Sequence, residues 1–141
     1  MSYLSDGKNL LLSDKIVFIV EDDAFLGKIY ERTLQAIGAR VIWAVDGEDG
    51  LEKLQLCKPD IIILDIMMPK MNGYEFLRKI RSDSKVKDVP IIAFTNLDAH
   101  PEYVNEAGGA GVDEYLIKAN TSIEDLVKKI IHHLGVERVD N

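Results

Sequence analysis

The sequence contains one cysteine and no apolar run long enough to cross a membrane. Cys57 cannot form a disulfide within the chain. The N-terminal stretch MSYLSDGKNLLLSDK lacks the basic start and the long apolar core of a secretory signal. The clean apolar runs, such as residues 61–64, have the length of a strand, whereas a membrane helix needs about 20 apolar residues. We therefore expect a cytoplasmic protein with no membrane insertion.

Positive charge and proline are also scarce. The chain has 17 Lys and Arg against 24 Asp and Glu, which gives a net charge of -7 at pH 7. Nucleic-acid phosphates and anionic membranes repel such a chain on average, so we expect no direct nucleic-acid partner. With only 4 prolines and 47% apolar residues over 141 residues, the composition is that of one ordinary globular domain.

The chain does contain a regular alternation of short β-branched runs and amphipathic stretches. This alternation occurs five times and is typical of βαβ units, in which helices cover both faces of a parallel sheet. We predict strands over residues 16–20, 40–45, 61–64, 91–94 and 114–117. The expected fold is α/β, a flavodoxin-like (βα)5 arrangement with a doubly wound, five-stranded parallel sheet in the order 2-1-3-4-5.

Helical periodicity predicts which side chains of the first and last helices face the core. Thr121 is the expected N-cap of the last helix, with Glu124 completing a capping box, and Gly38 is the expected end of the first helix. The predicted core stripes are Phe25, Leu26, Ile29, Tyr30, Leu34 and Ile37 in the first helix, and Ile123, Leu126, Val127, Ile130, Ile131 and Leu134 in the last.

The predicted domain covers residues 15–135, between an N-terminal extension (1–14) and a C-terminal tail (136–141).

Acidic residues follow the two strands that flank the topological switch point of this strand order. Glu21, Asp22 and Asp23 follow strand one, and Asp65 follows strand three. Ligands bind at such a switch point, beyond the carboxyl ends of the strands. Any one of these acids is most simply a solvated loop residue. Together they form a cluster whose repulsion a hard divalent cation would relieve, so the sequence predicts a site for Mg2+ or Mn2+.

Two further strand ends add a hydroxyl and an ammonium group to the same rim. Strand four ends near Thr95, and strand five is followed by Lys118. A cation site, a hydroxyl donor and a fixed positive charge around Asp65 suit a carboxylate that becomes phosphorylated. A flavin or nucleotide site is disfavoured, because the loop EDDAF would repel a phosphate and the chain has neither GxxxxGK[ST] nor GxGxxG.

The motifs IVEDD (19–23), PDIIILDIMMPKMNG (59–73), PIIAFT (90–95) and GVDEYLIK (111–118) resemble those of the receiver domains of two-component response regulators. The resemblance covers roughly residues 15–134. It implies that Asp65 accepts a phosphoryl group from a sensor histidine kinase or a histidine phosphotransfer protein. It also implies that Glu21, Asp22, Asp65 and the backbone carbonyl of Met67 hold Mg2+, and that Lys118 pairs with the acceptor and then with its phosphoryl group.

The resemblance also implies how the phosphoryl group would act on a partner. Thr95 and Tyr115 match the switch pair, in which the threonine contacts the phosphoryl group and the tyrosine rotates inward. The responding surface would consist of the fourth helix, the fifth strand and the fifth helix, and an unknown downstream protein would bind it. Such a chain is a phosphorelay signalling protein that catalyses only its own phosphorylation and dephosphorylation, and is not a conventional enzyme.

Several positions depart from the family pattern. Ala119 follows Lys118 where proline is usual, so the peptide bond is either trans or a strained cis bond. Asn96 follows Thr95 where a small residue is common, and we expect Asn96 to modulate access to the acyl phosphate. Glycines weaken the end of the fourth helix, which we expect to be short or mobile; they lie at positions 108, 109 and 111.

Two other classes of protein could share parts of this pattern. A pseudo-receiver has the same fold and works without phosphoryl transfer, but the retained set around Asp65 argues against it. A phosphatase of the haloacid dehalogenase type needs a second acid two residues after its nucleophile, and Met67 occupies that position. Whether the chain acts alone or belongs to a longer protein is left open by the sequence.

Overall fold

The computed structural model describes residues 10–68, 71, 73–96 and 111–136. The described strands are β1 (Ile16–Val20), β2 (Arg40–Ala44), β3 (Ile61–Leu64), β4 (Ile91–Thr95) and β5 (Glu114–Ile117). The described α-helices are α1 (Ala24–Ala36), α2 (Gly47–Leu54), α3 (Gly73–Arg81) and α4 (Ile123–Leu134). Helix α4 is the fifth helix of the sequence prediction. The predicted fourth helix falls on residues 97–110, outside the described residues.

The five strands form one parallel sheet in the order β2-β1-β3-β4-β5. Strand β1 lies between β2 and β3, with Val20 paired to both Ala44 and Leu64. At the other side of the sheet, Thr95 of β4 pairs with Ile117 of β5. The predicted strand order and flavodoxin-like architecture are confirmed, and the chain crosses from one side of β1 to the other between β2 and β3.

Alternate residues of the inner strands pack on opposite faces of the sheet, as the period of two in a strand requires. One face packs with α1 and α4, and the other packs with α2 and α3. Because both faces are covered, the inner strands are apolar along their whole length. The first core contains Val17, Ile19, Ile61, Ile63, Ile92, Phe94, Leu34, Leu126 and Ile130; the second contains Phe18, Val20, Ile62, Leu64, Ile91, Ala93, Phe76, Leu77 and Ile80.

Four local predictions differ from the structure: two strand ends, one core side chain and one helix cap. Strand β2 ends at Ala44, and Val45, which the prediction included, is 49% exposed. Strand β4 continues one residue further than predicted, to Thr95. Phe25 was predicted to face the core but is 74% exposed. It lies in the first turn of α1, where its neighbour Leu26 packs against the core instead.

The predicted N-cap of the last helix is one residue early. Ser122 caps α4 and accepts a hydrogen bond from the Asp125 N–H. Thr121 instead ends a short 3-10 turn over Lys118–Asn120 that the sequence pattern does not reveal. At the end of α1, Gly38 adopts a φ of 98°, which fits its predicted role as a helix stop.

Residues 10–14 pack against the domain rather than lying apart from it. Leu12 is fully buried in the core under α1, and its N–H donates to the carbonyl of Ile37. The boundary expected at residue 15 stays a prediction, and the burial of Leu12 favours a domain that starts earlier. Residues 1–9 and 137–141 lie outside the described residues.

Candidate functional site

The sheet brings the ends of β1 and β3 together at its carboxyl edge. Because Val20 pairs with Leu64, the next residues along each strand, Glu21 and Asp65, are neighbours. Backbone hydrogen bonds continue through both residues: the Asp65 N–H donates to the Val20 carbonyl at 3.0 Å, and the Glu21 N–H donates to the Ala44 carbonyl at 3.0 Å. Both acids are therefore held by the sheet itself and not by a mobile loop.

Three carboxylates form the acidic side of this site. Glu21, Asp22 and Asp65 each offer an oxygen, and these oxygens all lie within 4.8 Å of one another. Glu21 and Asp65 are buried, with 2% and 6% of their surface exposed, whereas Asp22 is exposed. Burial raises the pKa of Glu21 above its ordinary value, against the opposing effect of Lys118. Closely spaced oxygen donors of this kind fit a hard divalent cation such as Mg2+.

Lys118 lies on the other side of Asp65, where the sequence prediction expected it. Its ammonium nitrogen is 2.8 Å from Asp65 Oδ2 and also donates to Glu21 Oε1. Burial alone would lower the pKa of Lys118, but the hydrogen bonds that its ammonium donates to these two carboxylates outweigh burial and raise the pKa. Three carboxyl groups share one ammonium at this site, and a divalent cation would offset the excess of acidic groups.

The loop after β3 folds back over the Asp65 carboxylate. The Met67 N–H donates to Asp65 Oδ1 at 3.0 Å, and the Met67 side chain is 59% exposed. The carbonyl of Met67 as a metal ligand stays a prediction. The chain then returns, because the Gly73 N–H donates to the Ile66 carbonyl at 2.9 Å. A Cβ at position 73 would lie 2.5 Å from Ile66 Cα, so this close return requires glycine.

The other predicted site residues lie at the carboxyl end of β4 and within β5. Thr95 is fully buried as the last residue of β4, and Tyr115 is half-buried against the core on the α2 and α3 side. Asn96 is exposed, and its Oδ1 accepts a hydrogen bond from the Ala119 N–H at 3.1 Å. Among the described residues every peptide bond is trans, including the one between Lys118 and Ala119. The roles of these residues in switching and access stay predictions.

Asp23, the third acid of the run, has a structural role that sequence reasoning missed. Its Oδ1 accepts hydrogen bonds from the N–H groups of Phe25 and Leu26, so Asp23 is the N-cap of α1. Its own N–H donates to Glu21 Oε2 at 3.0 Å. An aspartate directly before an apolar helical stripe is the signal that could have predicted the cap.

Trp43 is a second residue that sequence reasoning missed. Its indole N–H donates to the backbone carbonyl of Glu21 at 2.9 Å, which holds the start of the acidic loop from the neighbouring strand. The ring also fills the space beside Gly27, where an added Cβ would lie 2.2 Å from Trp43 Cε2. No local pattern predicts this contact, because it joins residues 22 positions apart.

Several known proteins resemble this chain in sequence and in fold. The family model of the response regulator receiver domain matches residues 17–131. The chain is 43% identical over 102 residues to the probable transcriptional regulator ycf27 of Guillardia theta, an alignment that covers 72% of this chain and 39% of that protein. The chain thus spans well under half the length of this relative.

Two solved structures share the fold over most of this chain. The chemotaxis protein CheY4 of Vibrio cholerae is 33% identical with a TM-score of 0.77, over 84% of this chain and 97% of that one. The response regulator TrrA of Thermotoga maritima, solved in complex with Mg(2+)-BeF, is 29% identical with a TM-score of 0.71, over 84% of this chain and 98% of that one.

No helix among the described residues is long and apolar enough to span a membrane.

Proposed function

Because the chain belongs to the response regulator receiver domain family, a family of signalling proteins, we propose that Asp65 is its phosphoacceptor. The observation that carries this proposal is the contact between Lys118 and Asp65, at 2.8 Å, inside an otherwise acidic and largely buried cluster. A lysine in that position offsets the charge of the aspartate before transfer and the charge of the phosphoryl oxygens after it. The donor would be the phosphohistidine of a sensor histidine kinase or of a histidine phosphotransfer protein.

The proposed reaction is a displacement at phosphorus. An Asp65 carboxylate oxygen attacks the phosphorus atom, a P–O bond forms, and the P–N bond to the histidine ring breaks. The ring nitrogen keeps the electron pair of that bond and takes up a proton from water. The product is an acyl phosphate on Asp65, and the unphosphorylated donor dissociates.

Glu21, Asp22 and Asp65 would hold the required Mg2+ or Mn2+, with the Met67 carbonyl as a further ligand. When bound, the cation neutralises negative charge on the transferring phosphoryl oxygens. The donor set supports this proposal, because carboxylate oxygens are the ligands Mg2+ prefers and the three offered atoms lie within 4.8 Å of one another. Asp22, the exposed member, leaves the cluster open to a cation from solvent.

Phosphorylation of Asp65 would change the protein surface near β4 and β5. We propose that the Thr95 hydroxyl contacts the phosphoryl group and that Tyr115 then changes its burial. Thr95 precedes the segment 97–110, and Tyr115 follows it. This segment, together with β5 and α4, would form the surface for an unknown downstream protein. We further propose that the chain works in the cytoplasm and binds no nucleic acid directly, as its net charge of -7 favours.

The direct test is labelling with a small phosphodonor. The parent protein, incubated with Mg2+ and acetyl phosphate, should gain one phosphoryl group by intact mass, and acetate is the leaving group. Asp65→Asn should gain none. Asp88→Asn, the same chemical change at an exposed turn residue, is the matched control and should be labelled like the parent. Omitting Mg2+ in the presence of a chelator should abolish labelling.

Two outcomes would overturn the proposal. An Asp65→Asn protein labelled to the same extent as the parent would show that the phosphoacceptor is another residue. A correctly folded parent that takes no label from acetyl phosphate or from a phosphorylated histidine donor would favour the pseudo-receiver alternative, an interaction module that works without phosphoryl transfer.

A further inference from the structure

The ends of β4 and β5 are joined by a hydrogen bond between a side chain and a backbone amide. Asn96 Oδ1 accepts from the Ala119 N–H at 3.1 Å. Asn96 directly follows Thr95, and Ala119 directly follows Lys118. The bond therefore connects the two strand ends that carry the hydroxyl and the ammonium group of the site.

Among the described residues, backbone hydrogen bonding weakens just beyond the end of β5. Lys118 starts a 3-10 turn of three residues, whose closing hydrogen bond, from the Thr121 N–H to the Lys118 carbonyl, is long at 3.4 Å. The turn begins where the β5 ladder ends, since the last paired residues are Thr95 and Ile117. Asn96 is thus the next link between the two strands beyond the sheet. A peptide N–H is available to it because position 119 is not proline.

We propose that Asn96 is a positioning residue, which orients Lys118 toward Asp65 by holding the backbone of Ala119. This inference rests on the proposed function, because it concerns the geometry of the phosphoryl site. Lys118 donates to both Asp65 and Glu21, and a shift of its backbone by a fraction of an ångström would weaken both contacts. Asn96 acts only through its neighbours and is not itself a catalytic residue.

This role differs from the access role expected from sequence. An access role depends on the bulk of the Asn96 side chain, whereas the positioning role depends on its acceptor oxygen. Asn96→Leu keeps a side chain of similar size and removes the acceptor, and Asn96→Ala removes both. Asn120→Ala removes an exposed asparagine of the same 3-10 turn whose side chain has no hydrogen bond to any described residue, and serves as the matched control.

The first measurement tests the bond. Amide hydrogen exchange of Ala119, followed by NMR in the metal-free protein, should be about two- to tenfold faster in Asn96→Ala and Asn96→Leu than in the parent, the range expected for loss of one exposed hydrogen bond. Asn96→Asp keeps the acceptor and should keep the parental rate, as should Asn120→Ala. An unchanged Ala119 rate in both Asn96→Ala and Asn96→Leu would contradict the bond.

The second measurement tests its effect on the site. Beryllium fluoride imitates a phosphoryl group on aspartate, and its affinity at saturating Mg2+ can be measured by NMR titration. We expect binding about three- to tenfold weaker in both Asn96→Ala and Asn96→Leu, with Asn120→Ala like the parent. Parental affinity in Asn96→Leu, whatever Asn96→Ala does, would overturn the positioning role. Failure of the parent to bind beryllium fluoride or to accept phosphate would instead overturn the proposed function.

Discussion

At the scale of single residues, the site depends on how Asp65 is held. Its Oδ1 accepts from the Met67 N–H and its Oδ2 accepts from Lys118. Both oxygens therefore have a donor although the residue is only 6% exposed, which satisfies a buried charge that would otherwise be costly. This pairing fixes the carboxylate in one orientation, and the proposed phosphoryl transfer would use a carboxylate held in that way.

Trp43 should report the binding of a cation at this site. It is the only tryptophan of the chain, and its indole N–H donates to the backbone carbonyl of Glu21. Titration with Mg2+ should therefore give a saturable change in tryptophan fluorescence. In Asp22→Asn the midpoint should move to a higher Mg2+ concentration, on the order of tenfold, because one charged oxygen ligand is lost.

The control for this titration is Na+ at matched ionic strength, which should give no saturable change. A parental midpoint in Asp22→Asn would exclude Asp22 from the cation site. Absence of any fluorescence change, while calorimetry detects Mg2+ binding, would place the bound cation away from Glu21.

At the scale of elements, the sequence predicted strands better than their junctions. The β-branched runs identify β1 and β3 to the residue, because two covered faces demand apolar side chains along each whole strand. The bounds of β5 were also predicted to the residue, although β5 is a half-buried edge strand that includes Glu114. The cap of α4 was misplaced because Thr121 and Ser122 are both good capping residues. Only the unpredicted 3-10 turn before them decides between the two. Phe25 was misplaced because it lies at the margin of the apolar stripe beside Leu26, and Leu26 is the residue that packs against the core.

The packing of α1 on β2 makes Gly27 intolerant of alanine. Alanine normally stabilises a helix relative to glycine by about 1 kcal/mol. Here the new Cβ would lie 2.2 Å from Trp43 Cε2, inside the van der Waals contact distance. We expect Gly27→Ala to lower the free energy of unfolding by about 1 to 3 kcal/mol in urea denaturation, the usual range for overpacking.

The effect should depend on the tryptophan ring. In a Trp43→Leu background, which opens the space beside position 27, the same Gly27→Ala substitution should be close to neutral or stabilising. Equal destabilisation in both backgrounds would exclude a clash between the two side chains as the cause.

The contact of β5 with α4 should depend on pH through Glu114. Burial works to raise its pKa, but hydrogen bonds from Lys129 and His133, at 2.8 and 2.7 Å, outweigh it and lower the pKa below the ordinary 4.5. A carboxyl group with a lowered folded-state pKa contributes stability above its unfolded pKa and loses it as pH falls through the folded value. The contribution should thus be complete at neutral pH and decline below about pH 4.5.

Urea denaturation of the parent and of Glu114→Gln, from neutral pH into the acid range, tests the predicted direction of this pH dependence. The parent should be the more stable protein at pH 7, and the difference should shrink as the pH falls through the acid range. Glu52→Gln, at an exposed position of α2, should follow the parent throughout. A difference between parent and Glu114→Gln that grows in acid would contradict the predicted direction.

At the scale of the whole molecule, parallel strand ends gather residues that are far apart in sequence. Glu21, Asp65 and Lys118 meet because β1 and β3 are adjacent and β5 lies at the same edge. This convergence follows from the predicted flavodoxin-like strand order, because parallel strands place their carboxyl ends at one edge of the sheet. The contacts of Trp43 with Glu21 and of Asn96 with Ala119 were not predictable, because they depend on side-chain directions that no local pattern encodes.

A bound divalent cation should stabilise the fold as a whole. The acidic cluster exists only when β1 and β3 are paired, so Mg2+ binds the folded chain in preference to the unfolded one. At a free concentration about 100 times its dissociation constant, the gain in unfolding free energy should be about 2.7 kcal/mol. NaCl at the same ionic strength is the control, and an equal gain with NaCl would assign the effect to screening of the net negative charge.

The most direct test of the central claim is chemical identification of the phosphorylated residue. Borohydride reduces an acyl phosphate on aspartate to homoserine and leaves free carboxylates intact, so peptide mass spectrometry after phosphorylation and reduction marks the acceptor. The account predicts homoserine at position 65 and at no other aspartate. Homoserine at position 22 or 23, or a labelled protein with aspartate intact at position 65, would contradict it.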